Sequence, residues 1–351
     1  MRIHTGRGLG DFYYSVFRNI KANGVKVTPR GQKCIELPEP VTFVYTKPGA
    51  CWMHIPGRKF NPFFALAEVV WILSGRGDID WIAKYNEKMR DFNDGGPENH
   101  GAYGLRIRKA QTIQGPLDQI QYVVSKLKQD PYSRQAVISL WDPFLDNCFL
   151  SKDIPCNNLI YYSLRETQEA FSKVPFLDQT VVMRSNDLVW GTPYNAVQFT
   201  HLHALVAGML GAEMGKFTYV IQNLHFYEDL YPETLAAIQE AAAYIHNPTA
   251  KEVPGFGPVT QEEFDYTKQL ICSPERPGYW SFTIPHMLWI WEAIRNGLTC
   301  NGRGEQIAQE IMKLPSTLQT LVYGFYRDSK NEFTRDVIRR YKALSSPTRG
   351  V

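Results

Sequence analysis

Ile154-Pro155-Cys156-Asn157-Asn158 runs into Leu159-Ile160-Tyr161-Tyr162-Ser163-Leu164, a β-branched and aromatic stretch that reads as a strand. A lone cysteine therefore stands behind a proline at the mouth of a strand. Downstream come Met183-Arg184-Ser185-Asn186-Asp187 and then Trp190-Gly191-Thr192-Pro193-Tyr194-Asn195. A thiol, a guanidinium, a hydroxyl, a carboxylate and an amide thus fall within about forty residues. This ordering points to Cys156 as a nucleophile and to the rest as the groups that hold its substrate.

The flanking elements place this stretch in a layered fold. Strands are expected at 136–141, 159–165 and 179–185, with an exposed loop over Glu166–Asp178. A long apolar helix over 195–211 should be the central buried helix, and 217–227 reads as a final strand with His225 and Tyr227 on one face. Upstream, helical spacing marks 8–23, 34–46 alternates as a strand, and 60–75 forms a helix that is apolar nearly all round. Glu68 sits in the middle of that helix with Phe64, Ala65, Trp71 and Ile72 on its own face. A carboxyl in such surroundings should be raised in pKa, which suits a proton-handling acid. Residues 76–98 read as a polar helix and a loop, 115–129 as a helix, and helices are expected near 232–246, 286–297, 303–314 and 330–343. Arg30 stands in a turn-rich basic loop, and Arg134 stands at a strand mouth where it can reach an anion.

Bulk properties exclude several classes. The chain has 351 residues, 44% apolar and 21% charged, with a net charge of +3. That charge is too small to argue for nucleic-acid or membrane binding. Six cysteines occur (Cys34, Cys51, Cys148, Cys156, Cys272 and Cys300) without a CxxC pair, so no metal site is expected. Free thiols, no signal-like start and no apolar run of membrane length suggest a reducing, cytoplasmic setting. Gly6-Arg7-Gly8-Leu9-Gly10 lacks the preceding strand of a dinucleotide loop.

Taken together, an ordered series resembles the thymidylate synthase superfamily, which includes the pyrimidine-nucleotide hydroxymethylases of large phages. The series is Glu68 in ALAEVVWILSG, Tyr103 in GAYGLRIR, Ser133-Arg134 in DPYSRQAVISLWDP, and Pro155-Cys156. It continues through Arg184-Ser185-x-Asp187, Gly191-x-Pro193-Tyr194-Asn195 and His225-x-Tyr227. Order and spacing hold over about 60–230, and the last 120 or so residues match far less well.

The resemblance implies one α+β domain with a twisted mixed sheet, helices on one face and a sheet-to-sheet homodimer through the other. A catalytic domain would occupy 1–245, with a divergent, mainly helical region over 246–351 packed on it or capping it. The resemblance also implies transfer of a one-carbon unit from 5,10-methylenetetrahydrofolate to C5 of dUMP through a bond from Cys156 to C6. Arg184, Ser185, Arg134 (from the partner subunit) and Arg30 match the phosphate clamp. Asn195 matches the base selector, where an amide suits uracil and an aspartate suits cytosine. His225 and Tyr227 match the sugar-binding pair, Asp187 the pterin-holding carboxylate, Glu68 the acid at O4, and Tyr103 a wall of the cysteine pocket. Trp71 and Gly191 fall with Asp187 on the folate side.

Departures from the synthase pattern choose between products. An arginine-rich loop near the start is replaced by Thr28-Pro29-Arg30-Gly31-Gln32, and the second arginine of Ser-Arg-Arg is Gln135. The histidine after the cysteine is Asn157, a glutamine before Arg184 is Met183, and an aspartate two before His225 is Asn223. The folate-closing C-terminal segment is not recognisable in Ser345-Ser346-Pro347-Thr348-Arg349-Gly350-Val351. A methyl product needs water excluded, whereas a hydroxymethyl product needs water held beside the base. The departures lean to water, hence to 5-hydroxymethyl-dUMP, made as phages do that replace thymine, in the host cytoplasm. The alternatives are a thymidylate synthase using hydride from the folate, a dCMP hydroxymethylase, which Asn195 disfavours, and a non-catalytic nucleotide-binding relative.

Overall fold

The computed structural model describes residues 2–147 apart from 54, 56, 57 and 59, together with 150–166, 174–244, 256–269, 283–295, 303–326 and 332–345. Twelve strands are found among them: β1 (Arg2–Gly6), β2 (Val25–Val27), β3 (Cys34–Glu36), β4 (Val41–Tyr45), β5 (Ala110–Thr112), β6 (Gly115–Leu117), β7 (Val137–Ser139), β8 (Asn157–Arg165), β9 (Phe176–Met183), β10 (Asn186–Asp187), β11 (Glu213–Ile221) and β12 (Leu224–Tyr227). The helices are α1 (Tyr13–Asn23), α2 (Pro62–Leu73), α3 (Ile79–Ala83), α4 (Tyr103–Arg108), α5 (Gln119–Gln129), α6 (Pro143–Asp146), α7 (Gly191–Leu210), α8 (Pro232–Tyr244), α9 (Gln261–Gln269), α10 (Ile284–Arg295), α11 (Arg303–Met312), α12 (Ser316–Tyr326) and α13 (Glu332–Ser345).

The main sheet runs β1-β4-β11-β9-β8-β7 and is mixed: β1 with β4 and β11 with β9 are parallel, and the other pairs antiparallel. Strand alternation gives it two different faces. Leu177, Gln179, Val181 and Met183 of β9 are buried, on the side where α5 and α7 pack. Tyr161 of β8 and Phe176 of β9 stay 40% and 42% exposed. A second sheet, β10-β12-β3-β2, carries the other half of the site.

Two central helices organise the site. At the start of α2, the Asn61 side chain accepts from the N–H groups of Phe63 and Phe64 at 3.1 and 3.0 Å, and Pro62 fills the first helical position. Every residue of α2 except Glu68 is buried. In α7, every residue from Thr192 to Ala207 is buried except Asn195. The two helices pack through Phe64 on Tyr194 (5.1 Å between ring centres), and the Asn61 N–H donates to the Tyr194 hydroxyl at 3.0 Å. Each helix thus bares one polar side chain.

Four expectations about elements are corrected. The 34–46 strand is two strands in different sheets, because Pro38 and Pro40 interrupt the ladder between β3 and β4. The 217–227 strand is also two: the Asn186 N–H bonds to the Asn223 carbonyl at 2.9 Å, drawing the chain into the second sheet. Residues 76–98 hold only the short α3 and a 3-10 turn, started by Asn86 accepting from the Lys88 N–H. The start of the 115–129 helix is instead β6, paired with β5. Helices α9 and α12 were not anticipated. The 272–278 loop, Cys148, Cys272, Cys300 and 346–351 lie outside the described residues.

Among the C-terminal helices, α10 and α12 pack on α2. Trp291 stacks near Phe63 and Tyr85, with ring centres 5.4 and 5.9 Å away, and its indole N–H donates to the Lys84 carbonyl at 3.2 Å. Arg295 donates to the same carbonyl at 2.8 Å.

Candidate active site

Cys156 ends the loop before β8 and is partly buried. Burial pushes its thiol up; Arg184 opposes this, Asp153 reinforces it, and Arg30 opposes it less. Arg184 is bound into the cysteine loop: its Nε and Nη2 donate to the carbonyls of Pro155 and Ile154 at 2.9 and 2.8 Å, and its N–H to the Cys156 carbonyl at 2.9 Å. The guanidinium therefore buttresses the backbone of the cysteine loop, and its Nη1 makes no hydrogen bond among the described residues.

Asn157 follows inward and is fully buried. Its Nδ2 donates to the Tyr103 hydroxyl at 2.7 Å, while its Oδ1, also buried, takes no hydrogen bond among the described residues. Tyr103 accepts there, so its own O–H remains free to donate. The Cys156 charge bears on that phenol, which burial keeps well above the ordinary range.

A second cluster lies on β10 and β12. One Asp187 oxygen accepts from the N–H groups of Val189 and Trp190 at 2.8 and 3.2 Å, and the other from the Tyr231 hydroxyl at 3.2 Å. Burial raises this carboxyl and the charge of His225 opposes the rise. His225 is lowered by burial, with Asp187 opposing. Its Nδ1 donates to Asn223 Oδ1 at 2.9 Å, and Asn223 Nδ2 to Glu36 at 2.7 Å, a relay that fixes the imidazole's tautomer. His225 and Tyr227 do share a face, with ring centres 5.2 Å apart. Arg30 reaches this pair: its charge acts on Tyr227, His225 and Cys156. It is exposed and held at φ 53°, ψ 31°, a left-handed conformation rare outside glycine.

Asn195 joins the clusters. Its Nδ2 donates to Asn186 Oδ1 at 3.2 Å, leaving one amide hydrogen and the carbonyl oxygen for a ligand. Gly191 makes room for this pair: a Cβ there would lie 3.3 Å from Asn186 Oδ1 and 3.6 Å from Asn195 Nδ2. On α2, burial raises Glu68 to about 8, against a hydrogen bond from Gln198 that lowers it.

Cys156, Asn157, Tyr103, Arg184, Asp187, Arg30, His225 and Tyr227 are therefore brought together, while Asn195 and Glu68 are tied in through Asn186 and α7. Ser185 sits half-buried beside Arg184. Arg134 stands apart, exposed in the turn before β7, and Trp71 is buried with its indole N–H on the Asp78 carbonyl at 3.1 Å. Sequence reasoning missed Asn186, Gln198, Glu36 and Tyr231. Gln198 had a readable signal, a polar residue on an apolar helix, the same argument that found Glu68. The other three arrive through tertiary pairing alone. No group of three metal-ligating side chains occurs among the described residues, and no described helix is long and apolar enough to cross a membrane.

A mixed sheet backed by buried helices presents a cysteine beside Arg184, and the relatives of this fold place the chain among the transferases. A family model described as thymidylate synthase matches residues 12–251, and the chain belongs to the thymidylate synthase family. The deoxyuridylate hydroxymethyltransferase of Pseudomonas phage M6 is 36% identical over 256 residues, 72% of this chain and 69% of that protein. That of Bacillus phage SP01 is 36% identical over 239 residues, 66% of this chain but only 60% of that protein. The thymidylate synthase of Streptococcus mutans is 30% identical over 173 residues, 48% of this chain and 58% of that protein.

Proposed function

We propose that this chain transfers a one-carbon unit from 5,10-methylenetetrahydrofolate to C5 of dUMP and completes the reaction with water, giving 5-hydroxymethyl-dUMP. The observation that carries the choice of water is the fully buried Asn157 beside the nucleophile, whose Oδ1 takes no hydrogen bond among the described residues. A buried acceptor with no protein donor is costly to leave unpaired, and a water molecule next to the reacting carbon satisfies it. The likeness to the two phage hydroxymethyltransferases supports the same product.

Each step then has a residue. The Cys156 thiolate adds to C6 of uracil, which makes C5 nucleophilic. The folate supplies the one-carbon unit to C5, and Asp187, anchored by two backbone N–H groups and Tyr231, fits the donor-rich edge of a pterin. The C5 proton is lost and the bond from the new carbon to the folate nitrogen breaks, releasing tetrahydrofolate and leaving an exocyclic methylene; water held by Asn157 adds to it, and release of the Cys156 sulfur restores the ring. Glu68, near 8, can both give and take a proton at the base at neutral pH. Asn195 accepts from N3–H and donates to O4. Arg184 through Nη1, Ser185 and Arg30 hold the phosphate, and His225 with Tyr227 holds the sugar. Arg134, exposed in its own chain, serves the site of a second copy across the open face of the main sheet. Residues 1–245 form the catalytic domain, and of the later helices α10 and α12 pack on α2 and α9 on α7.

The test is product mass after incubation with dUMP and methylenetetrahydrofolate. 5-Hydroxymethyl-dUMP with tetrahydrofolate is expected. dTMP with dihydrofolate refutes the water step, and no turnover of dUMP or dCMP refutes the enzyme. Cys156→Ala should abolish turnover and spare dUMP binding.

A further inference from the structure

Asn195 and Gln198 lie one helical turn apart on α7, Asn195 meeting Asn186 and Gln198 reaching α2. Gln198 is only 6% exposed, and its Nε2 donates to Glu68 Oε2 at 2.7 Å. An amide nitrogen is a donor and never an acceptor. The oxygen it meets must therefore accept in every protonation state of the carboxyl. The proton that Glu68 gains and loses must sit on the other oxygen, Oε1, which has no hydrogen bond to the protein among the described residues.

We propose that Gln198 is a positioning residue for Glu68: it holds Oε2 and reserves Oε1 as the single oxygen that exchanges a proton with the bound base. The helix sets the geometry. Asn195 reads the base, and Gln198, three residues on, fixes the acid, so α7 sets the distance between reader and proton donor. The assignment of that proton to a pyrimidine base rests on the function proposed above; the Gln198–Glu68 geometry does not.

Other charges do not obscure the effect. From α7, Tyr194 is the titratable group that feels Glu68, and its hydroxyl is engaged with the Asn61 N–H. On α4, Tyr103 is turned to Asn157, Arg106 is paired with Asp146 and Arg108 with Asp118. On the remaining helices that pack on α2, Asp80 of α3 pairs with Arg90, Arg295 of α10 binds the Lys84 carbonyl, His286 pairs with Glu310, and Tyr326 of α12 packs on Phe63.

The test uses the full chain, with glutamate carboxyls carbon-13 labelled and the Glu68 resonance assigned by its loss in Glu68→Gln. Gln198→Met keeps the volume and removes the donor; Gln198→Asn, which is too short to reach, is the second variant. Losing a donor to the charged form should raise the Glu68 titration midpoint by about one pH unit. It should also lower kcat on dUMP by roughly 10- to 100-fold, with dUMP affinity within about twofold. A midpoint that stays or falls overturns the proposal; a fall would mean that the amide oxygen faces the neutral acid. So does a loss of dUMP binding in step with turnover at an unchanged midpoint, which marks packing alone. A wild-type chain that turns over no dUMP refutes the proposed substrate, and the titration still decides the role of Gln198.

Discussion

Cys156 shows how a single residue's reactivity is set by competing terms. Burial raises the thiol, and Arg184 and Arg30 only partly counter it, with Asp153 pulling the other way. The thiolate is the reactive form, so alkylation of Cys156 by iodoacetamide should still be accelerating at pH 9. Asp153→Asn keeps an acceptor for the Gly101 N–H, bound now at 3.0 Å, and removes the charge. It should speed alkylation at pH 8 several-fold, measured by intact mass against time; an unchanged rate would show that Asp153 does not act on the sulfur. Glu68 gives a stability counterpart. Its folded pKa, about 8, lies above its ordinary 4.5, so the native state holds a proton that the unfolded chain has lost between these values. Stability from this group is therefore complete below about 4.5 and lost as pH rises towards 8. Glu68→Gln cannot ionise. Its melting temperature should exceed that of the unmodified chain by a margin that widens from pH 5 to pH 8.5, and a constant margin would contradict the raised carboxyl. Asn195→Asp should move preference from dUMP towards dCMP, read as the ratio of kcat/KM values. The reason lies in Asn186, whose oxygen fixes which end of the Asn195 amide faces the base.

At the scale of elements, the legible parts of the fold were those that local pattern decides alone. Helix α2 was readable because its apolar residues run all round it, and α7 because Gly211 follows a long apolar run and closes it at φ 65°. What escaped was sheet membership. Residues 217–227 are rich in strand formers on both sides of Gln222-Asn223, and the Asn186–Asn223 backbone bond splits them between two sheets; no local signal encodes a partner that far along the chain. The same split brings His225 beside Asp187, paired in register on β12 and β10, so the unreadable step is also the one that assembles half the site. Glu36 joined for this reason, since it arrives on β3 opposite His225. The residue series on β8 to α7 was legible because one continuous segment carries it. Gly208 tests a contact between elements. The Val259 N–H donates to the Ala204 carbonyl at 3.1 Å, and a Cβ on Gly208 would lie 2.2 Å from the Val259 carbonyl oxygen. Backbone cannot yield as a side-chain tip can, so Gly208→Ala should destabilise the chain by about 2 kcal/mol or more despite alanine's higher helix propensity. Urea denaturation measures this, and a neutral or stabilised variant would show that the 256–269 segment moves freely off α7.

For the whole molecule, the proposed role of Arg134 turns on a second copy of the chain. The groups proposed to hold the phosphate within one chain are Arg184, two of whose nitrogens are bound to the cysteine loop, Ser185 and Arg30. Arg134 is exposed, and the face of the main sheet away from α5 and α7 leaves Tyr161 and Phe176 open. A two-fold pair through that face would buy nothing for Arg134 if it served its own site, but completes both sites if it crosses. Subunit mixing separates the two arrangements. Arg134→Ala and Cys156→Ala should each be inactive alone. When they are unfolded together and refolded, half of the dimers are mixed, and one of the two sites in each mixed dimer has an intact Cys156 and an intact Arg134. Activity should therefore return to about one quarter of the unmodified level. If Arg134 acts on its own subunit's site, every mixed site carries a lesion and nothing returns. If the chain sediments as a monomer at micromolar concentration while remaining active on dUMP, the crossing arginine is wrong, and the phosphate rests on Arg184, Ser185 and Arg30 alone.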